Sequence, residues 1–282
     1  MPQVENPPLP EFELVIRPRS VVSLGDLADV WRYRELLWSL AMRDVSVRYK
    51  QAVLGVTWAL LQPVLQMFIF TILFNRMAGI HADAGIPYQL FCLSGLVVWT
   101  LFANGLNHAS ESLVANSNVI SKVYFPRLVI PLAAVVTAMV DFAVAFAMVL
   151  VLIPIFGERY HLSALLTLPI AMLSALCAAS LGLWASAINL QFRDVRYALP
   201  FFIQLLIFLT PVFYPASLVP ERWRSLFHLN PMVAVVESFR AALFGQPIPF
   251  GQLGVATLTI LAVALGGFIY FRRMEHTFAD RV

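Results

Sequence analysis

Long apolar stretches separated by short polar connections dominate the sequence. Each stretch reaches or approaches the ~20 residues that a helix needs to cross a hydrocarbon core ~30 Å thick. The pattern therefore predicts an all-α integral membrane protein with six transmembrane helices. These helices are expected over residues 53–74, 88–106, 128–156, 162–190, 197–214 and 253–271.

The chain before the first span divides into two parts. Residues 1–22 are rich in proline and acidic residues and show no apolar period, which predicts a mobile cytoplasmic tail. From Ser23 onward, apolar residues recur at helical spacing and arginines occupy the other positions. This pattern predicts an amphipathic interface helix over 23–52 that lies in the headgroup plane. A soluble helix packed on a partner protein remains the alternative.

The remaining residues, 53–282, form the predicted transmembrane domain. Its fifth connection, 215–251, is apolar in places but too short and too interrupted by prolines to cross a membrane. Such a segment is typical of a re-entrant hairpin, which is tolerated where protein or water satisfies its backbone. We predict a re-entrant helical hairpin here, on the outer side, and a loop over 107–127 on the cytoplasmic side.

Basic residues in the connections indicate the orientation of the chain. Arginine and lysine concentrate in the amino-terminal segment, the second and fourth connections and the carboxyl end. By the positive-inside rule, these parts face the cytoplasm, so both termini are predicted to be cytoplasmic. The fifth connection runs against this trend, because it carries Arg222, Arg224 and Arg240 on the predicted outer side.

Composition narrows the class of protein further. The chain has 282 residues, of which 60% are hydrophobic and 12% charged, about half the charge of a soluble domain. A net charge of +3 does not indicate nucleic-acid binding. The two lysines, Lys50 and Lys122, do not follow a glycine, so these residues contain no phosphate-binding P-loop. Cys92 and Cys177 lie in apolar runs, and no metal or cofactor is predicted to bind this chain.

Five local motifs occur in a defined order between residues 43 and 245. The first is RDVSVRYKQAVLGVTW at 43–58, followed by Gln62-Pro63; the others are NSNVISKVYFP at 116–126, FRD at 192–194, TPVFYP at 210–215, and Asn230-Pro231 followed by ESFR at 237–240 and Gly245. Together these motifs resemble the signatures of ABC-2 type permeases that export polysaccharides.

The resemblance implies the membrane subunit of an ATP-driven exporter in the bacterial inner membrane. Two copies of the chain would work with two copies of a separate ATPase, which uses ATP and Mg²⁺. The implied cargo is a lipid-linked polysaccharide, with O-antigen first and teichoic acid or capsule next. An ABC-2 exporter of a small lipid or drug is the alternative. A membrane-embedded glycosyltransferase or phosphatase is less supported, because the five histidines are scattered singly.

Three cations are candidates for admitting substrate: Arg43, Arg48 and Lys50, at the junction of the interface helix and the first span. Cations at this level are commonly topology anchors, worth about 1 kcal/mol each against anionic lipid. Guanidinium groups also match phosphate oxygens well, so one of them could bind the pyrophosphate of a lipid-linked substrate. Both interpretations stay open at this point.

A second set of residues is expected to line a channel. Aromatic rings could stack on sugars or face lipid, and buried polar groups could bind sugar hydroxyls or join helices. An ionisable group within a span should face the bundle interior. The set comprises Trp58, Gln62, Gln66, Phe91, Trp99, Phe202, Phe208 and Asp141.

Two further sets lie in the connections. In the family that the chain resembles, the second connection carries the ATPase-coupling helix, which implies Glu111, Asn116, Asn118 and Lys122 at or near that contact. Solvation of a loop is the alternative. In the fifth connection, Tyr214, Glu237 and Arg240 are candidates for an outer gate. Glu237 and Arg240 are spaced to pair along one helical turn, either as a structural staple or in contact with substrate.

Overall fold

The fold is all-helical in the parts of the chain that the computed structural model describes, residues 25–50, 56–82, 85–120, 122 and 125–275. Short 3₁₀ segments precede α7 and follow α8, and a π-helical segment, Thr71–Met77, continues α3. The α-helices are α1 Gly25–Arg32, α2 Arg34–Lys50, α3 Val56–Phe70, α4 Tyr88–Ala115, α5 Ser117–Ile120, α6 Val129–Ile155, α7 Thr167–Gln191, α8 Val195–Leu206, α9 Glu221–Phe227, α10 Pro231–Leu243 and α11 Phe250–Glu275.

Five helical segments in these residues are long and apolar enough to cross a membrane. They are Leu60–Met77, Tyr88–Ala115, Val129–Ile155, Leu162–Gln191 and Phe250–Glu275. The predicted class of all-α membrane protein is thus confirmed, with five candidate spans.

The sixth predicted span, residues 197–214, is a shorter apolar helix, Val195–Leu209. Its 12 α-helical residues cover about 18 Å, less than the ~30 Å of a hydrocarbon core. The helix ends at Thr210, whose backbone is extended because the residue before a proline disfavours the helical conformation. The count of six spans therefore stays a prediction.

Helix α4 forms the centre of the bundle and packs against α3, α6, α7, α8 and α10. Its 28 residues extend about 42 Å, and most of them are buried. Small residues let α4 approach α7 closely: a Cβ on Gly105 would lie 3.0 Å from the Cβ of Ala178, and one on Gly182 would lie 2.6 Å from that of Ala109. At this crossing each helix thus carries two small residues four positions apart, the spacing that favours close helix contact in membranes.

The amino-terminal helix predicted over 23–52 is two helices, α1 and α2, separated at Tyr33. Helix α2 packs against α6 with Leu40 and Ala41 buried, while Trp38 is exposed. Its position in the headgroup plane stays a prediction. The predicted tail, 1–22, lies outside the described residues.

Both of the long connections predicted from the sequence, 107–127 and 215–251, contain helices. Helix α4 continues to Ala115, past the expected end of the second span at residue 106, and α5 follows at once. The role of 107–127 as the cytoplasmic coupling connection stays a prediction. Within 215–251, exposed α9 and buried α10 are joined by a turn at 228–230. This arrangement has the form of a helical hairpin, and its re-entrance into a membrane stays a prediction.

Replacing Gly182 by leucine should destabilise the protein by about 1–3 kcal/mol, because the new side chain would force α4 and α7 apart. The free energy of unfolding can be measured in mixed micelles with increasing denaturing detergent. The matched control is Gly254→Leu in α11, where a Cβ meets nothing within 4 Å. Equal stability of the two variants would contradict the close α4–α7 crossing.

Candidate functional site

An ion pair joins the end of α2 to the middle of α6. Arg48 Nη1 donates to Asp141 Oδ2, and Arg48 Nη2 lies 3.0 Å from His108 Nε2 on α4. The guanidinium can only donate, so His108 Nε2 accepts. Tyr49 donates its hydroxyl to the other carboxylate oxygen of Asp141 at 2.5 Å. This group of four residues, the α2 latch, thus ties α2 to both α4 and α6.

The latch explains how Asp141 is accommodated in an apolar helix. Its side chain is 14% exposed and receives hydrogen bonds on both oxygens, as a carboxylate among apolar residues requires. Burial and, after it, the hydrogen bond to Asp141 raise the pKa of Tyr49 above its ordinary value. The phenol therefore stays protonated at neutral pH and remains a donor.

Tyr49 and His108 were not among the residues that the sequence analysis selected. The sequence analysis placed His108 in the connection 107–127, outside the predicted spans, so the pattern gave no signal that this residue needs a polar partner within the bundle. The identity of that partner could not be read from the sequence. Arg48 and His108 are brought together by helix packing, and no periodic pattern relates their positions.

A cavity of about 350 Å³, the α2 cavity, lies beside the latch between α2, α4 and α6. Its polar lining includes residues predicted for two separate roles, substrate admission and ATPase coupling. The full lining is Leu40, Arg43, Asp44, Val47, Arg48, His108, Glu111, Ser112, Ala115, Asn116, Ile130, Ala133, Ala134 and Thr137.

Arg43 links α2 to the end of α4 across this cavity. Its Nη2 donates to Asn116 Oδ1 at 2.8 Å and also to Asp44 Oδ1 at 2.8 Å. Asn116 follows α4 directly, and its amide donates to the Ser112 carbonyl oxygen at 2.9 Å. The structure therefore brings Arg43 into direct contact with a residue of the predicted coupling set.

The other members of these two sets lie nearby on the surface. Glu111 Oε1 is 3.8 Å from Arg196 Nε, and both side chains are largely exposed, so this pair contributes little stability. Lys50 is exposed at the end of α2, and Asn118 and Lys122 are exposed on and after α5. Exposure leaves them accessible to a partner protein or to lipid headgroups.

At the other end of α4 lies the outer-gate candidate Arg240 of α10, which is buried with only 6% exposure. Its Nη2 donates to the carbonyl oxygens of Phe91 and Pro211, each at 3.1 Å, and its guanidinium carbon lies 3.6 Å from the Phe91 ring centroid. Gly95 makes room for this contact, since a Cβ there would lie 2.7 Å from Arg240 Nη2. Arg240 thus fastens α10 to α4 and to the irregular chain after α8.

Further contacts hold the segment between α8 and α10. Tyr214 donates its hydroxyl to the Phe208 carbonyl oxygen at 2.8 Å, and the Phe213 ring stacks on Phe70. Asn230 caps α10 by accepting from the Met232 amide, and it donates to Thr210 Oγ1 at 3.0 Å. Glu237, the remaining gate candidate, is half-buried on α10.

The channel candidates differ in how far their side chains are exposed. Phe91 and Trp99 are buried within the protomer, at 2% and 3% exposure, which favours the packing alternative for these rings. Phe202 and Phe208 are exposed on α8 and its extension. On α3, Gln62 is exposed and Gln66 is half-buried, with its Oε1 lacking a hydrogen-bond partner among the described residues. The side chain of Trp58 lies outside the described part.

Metal binding has no structural support in the residues described. No group of three or more His, Cys, Asp or Glu side chains in that part of the chain could hold a metal ion. Cys92 and Cys177 are both buried as free thiols.

A bundle of apolar helices, with polar clusters at the two ends of a central helix, defines a multi-pass membrane protein. The sequence profile of the ABC-2 type transporter matches residues 35–244. The chain belongs to this family of transporter membrane subunits.

Curated relatives cover most of the chain. The O-antigen export system permease protein RfbA of Klebsiella pneumoniae is 27% identical over 248 residues, which are 87% of this chain and 94% of the relative. RfbA of Myxococcus xanthus is 28% identical over 259 residues, 90% of this chain and 98% of the relative. The polysialic acid transport protein KpsM of Escherichia coli is 22% identical over 242 residues, 84% and 93% respectively.

A double-mutant cycle between Arg48→Gln and Asp141→Asn should give a coupling energy of about 1–3 kcal/mol in the free energy of unfolding. Either single change leaves a partly buried group without its ionic partner and so lowers the free energy of unfolding. The second change then lowers it by less, because the ion pair is already lost. The exposed pair of Arg43 and Asp44 is the control and should couple by less than about 1 kcal/mol. Additive effects of Arg48→Gln and Asp141→Asn would contradict the α2 latch.

Proposed function

We propose that this chain is the membrane subunit of an exporter that moves a lipid-linked polysaccharide, O-antigen first, across the bacterial inner membrane. The observation that carries this proposal is the similarity to O-antigen export permeases over nearly the whole chain. Relatives named for polysialic acid and capsule export support the wider class of polysaccharide cargo. In the proposed orientation both termini, the α2 cavity and α5 face the cytoplasm.

Transport driven by ATP needs a second kind of subunit in this proposal. The 282 residues contain no Gly-Lys-Ser/Thr sequence with which to bind nucleotide phosphates. A separate ATPase would bind ATP and Mg²⁺, and two copies of each subunit would form the exporter around one path. The exposed apolar face of α8 and its 3₁₀ extension, which includes Phe202 and Phe208, could line that path.

A chain of contacts supports a route from the ATPase to the substrate path. The coupling candidates Asn118 and Lys122 are exposed next to Asn116, which binds Arg43 on α2. Further along α2, Arg48 binds Asp141 on α6. A push on α5 would therefore move α2, and α2 would transmit the displacement to α6 through the latch. The α2 cavity lies between these two contacts, where a phosphate group could compete for Arg43 and Arg48.

Co-purification with a candidate ATPase in lipid nanodiscs tests the cargo and the partner together. We expect a complex with two copies of each subunit, measured by its mass, whose ATPase rate changes when lipid-linked glycan is added. The same complex without glycan, and with the lipid carrier alone, are the controls. A complex that responds to small lipids or drugs and to no glycan would contradict the polysaccharide cargo. Failure to bind any ATPase would contradict the exporter itself.

The role of Arg48 can be tested by comparing Arg48→Gln with Asp141→Asn in that complex. If Arg48 binds substrate phosphate, Arg48→Gln should raise the half-maximal glycan concentration by about tenfold, since a charge-assisted hydrogen bond is lost. Asp141→Asn should not raise the half-maximal glycan concentration, because this change removes the carboxylate that competes with substrate phosphate for Arg48. Equal impairment by both changes would show that Arg48 serves only to anchor α2.

A further inference from the structure

An apolar cavity of about 550 Å³, the α9 cavity, lies at the end of the bundle opposite the α2 cavity. It is formed where the first span, the extension of α8 and α9 come together. The lining is Phe74, Ile80, Leu206, Leu209, Tyr214, Leu218, Val219, Pro220, Trp223, Leu226, Phe227 and Asn230. Several of these side chains, including Trp223, Leu218 and Leu226, are more than half exposed, so the cavity opens to its surroundings.

The lining favours a hydrocarbon occupant. Tyr214 and Asn230 are polar, and both already make hydrogen bonds within the protein, to the Phe208 carbonyl oxygen and to Thr210 Oγ1. Most of the other side chains are aliphatic or phenyl groups, which gain free energy when an apolar chain displaces water from them. Trp223 combines an apolar ring with one N–H, the character that is enriched at membrane interfaces.

Two exposed arginines flank Trp223 on α9, next to this cavity in sequence but outside its lining. Arg222 and Arg224 form no ion pair within the described residues, including with Glu221. Neighbouring helical positions are separated by about 100°, so the two guanidinium groups project on either side of the Trp223 ring. Arg222 lies near that ring, at 5.7 Å from its centroid.

These two arginines also account for an irregularity in the charge pattern. The fifth connection holds three arginines on the side that the other connections predict to be poor in them. Arg240 is explained by its buried contacts with carbonyl oxygens and Phe91. Within the described part of the chain, Arg222 and Arg224 have no such contacts, and a phosphate group bound from outside would supply the missing negative charge.

We propose that the α9 cavity binds one acyl chain of an anionic phospholipid, whose phosphate pairs with Arg222 or Arg224, according to the side of the Trp223 ring on which it lies. The apolar lining binds the chain, Trp223 lies at the boundary of headgroup and hydrocarbon, and the arginines select for negative charge. A second copy of the protein is a poorer occupant, because a two-fold axis near α9 would bring the same unpaired arginines together. The proposal concerns a resident lipid and does not depend on which cargo is exported.

Fluorescence quenching by brominated lipids tests the site in the full-length chain in nanodiscs. The signal of Trp223 is obtained as the difference between the wild type and Trp223→Phe. We expect brominated phosphatidylglycerol to quench this signal at lower mole fraction than brominated phosphatidylcholine. In the double variant Arg222→Gln/Arg224→Gln, the preference for phosphatidylglycerol over phosphatidylcholine should fall on the order of tenfold, since each arginine near a membrane surface favours anionic lipid.

Two control variants test separately for a general effect of removing an arginine and for an effect of the size of the cavity. Arg159→Gln removes an exposed arginine in the connection between α6 and α7 and should leave the preference unchanged. Leu218→Phe narrows the cavity and should reduce quenching by both lipids alike. Equal quenching by the two lipids, unaltered by the double change, would overturn phosphate recognition. A Trp223 signal that no brominated lipid quenches would show that protein covers this face, which would overturn the proposal.

Discussion

A charge that lies among apolar helices must find its partners inside the protein, and two arginines at opposite ends of α4 meet this constraint. Arg240 binds the carbonyl oxygens of Pro211 and Val212, in the irregular chain that follows α8 and its extension. Arg48 binds Asp141, the acidic residue of α6, and is seated against His108 of α4. Neither contact could be lost without leaving a polar group unsatisfied, so each one fixes its neighbouring helices.

The close contact of α4 with α7 makes the central helix a rigid support for these two clusters. Small residues at the crossing bring the backbones together, and most side chains of α4 are buried. By contrast, α2 lies on one side of the bundle, where it packs mainly on α6, buries Leu40 and Ala41, and makes polar contacts to α6 and to the end of α4. An element attached in this way can shift as a unit when a partner presses on the adjacent α5. In the function proposed above, this difference in packing would let α2 carry a displacement from the ATPase towards the substrate path.

The helices and their apolar character could be predicted well from the sequence, because hydrophobic length and period depend on neighbouring residues. The end of the second span was placed too early, at residue 106, because the apolar run stops at Asn107, whereas α4 continues to Ala115. Phe91 and Trp99 could be placed on an apolar helix but not on a face of it. Packing of α4 on every side buried both rings, which a one-dimensional pattern does not show.

The sequence by itself determined that this is a helical membrane protein, that its motifs resemble those of ABC-2 permeases, that Asp141 should face the bundle interior, and that Arg240 is spaced to pair with Glu237. These conclusions follow from composition, period and local motifs, which involve residues close together in the chain. Only the tertiary structure decided that Arg48 pairs with Asp141 and that Arg43 reaches Asn116. Such contacts join residues far apart in sequence, and they exist because helix packing, rather than local preference, sets the distances between them.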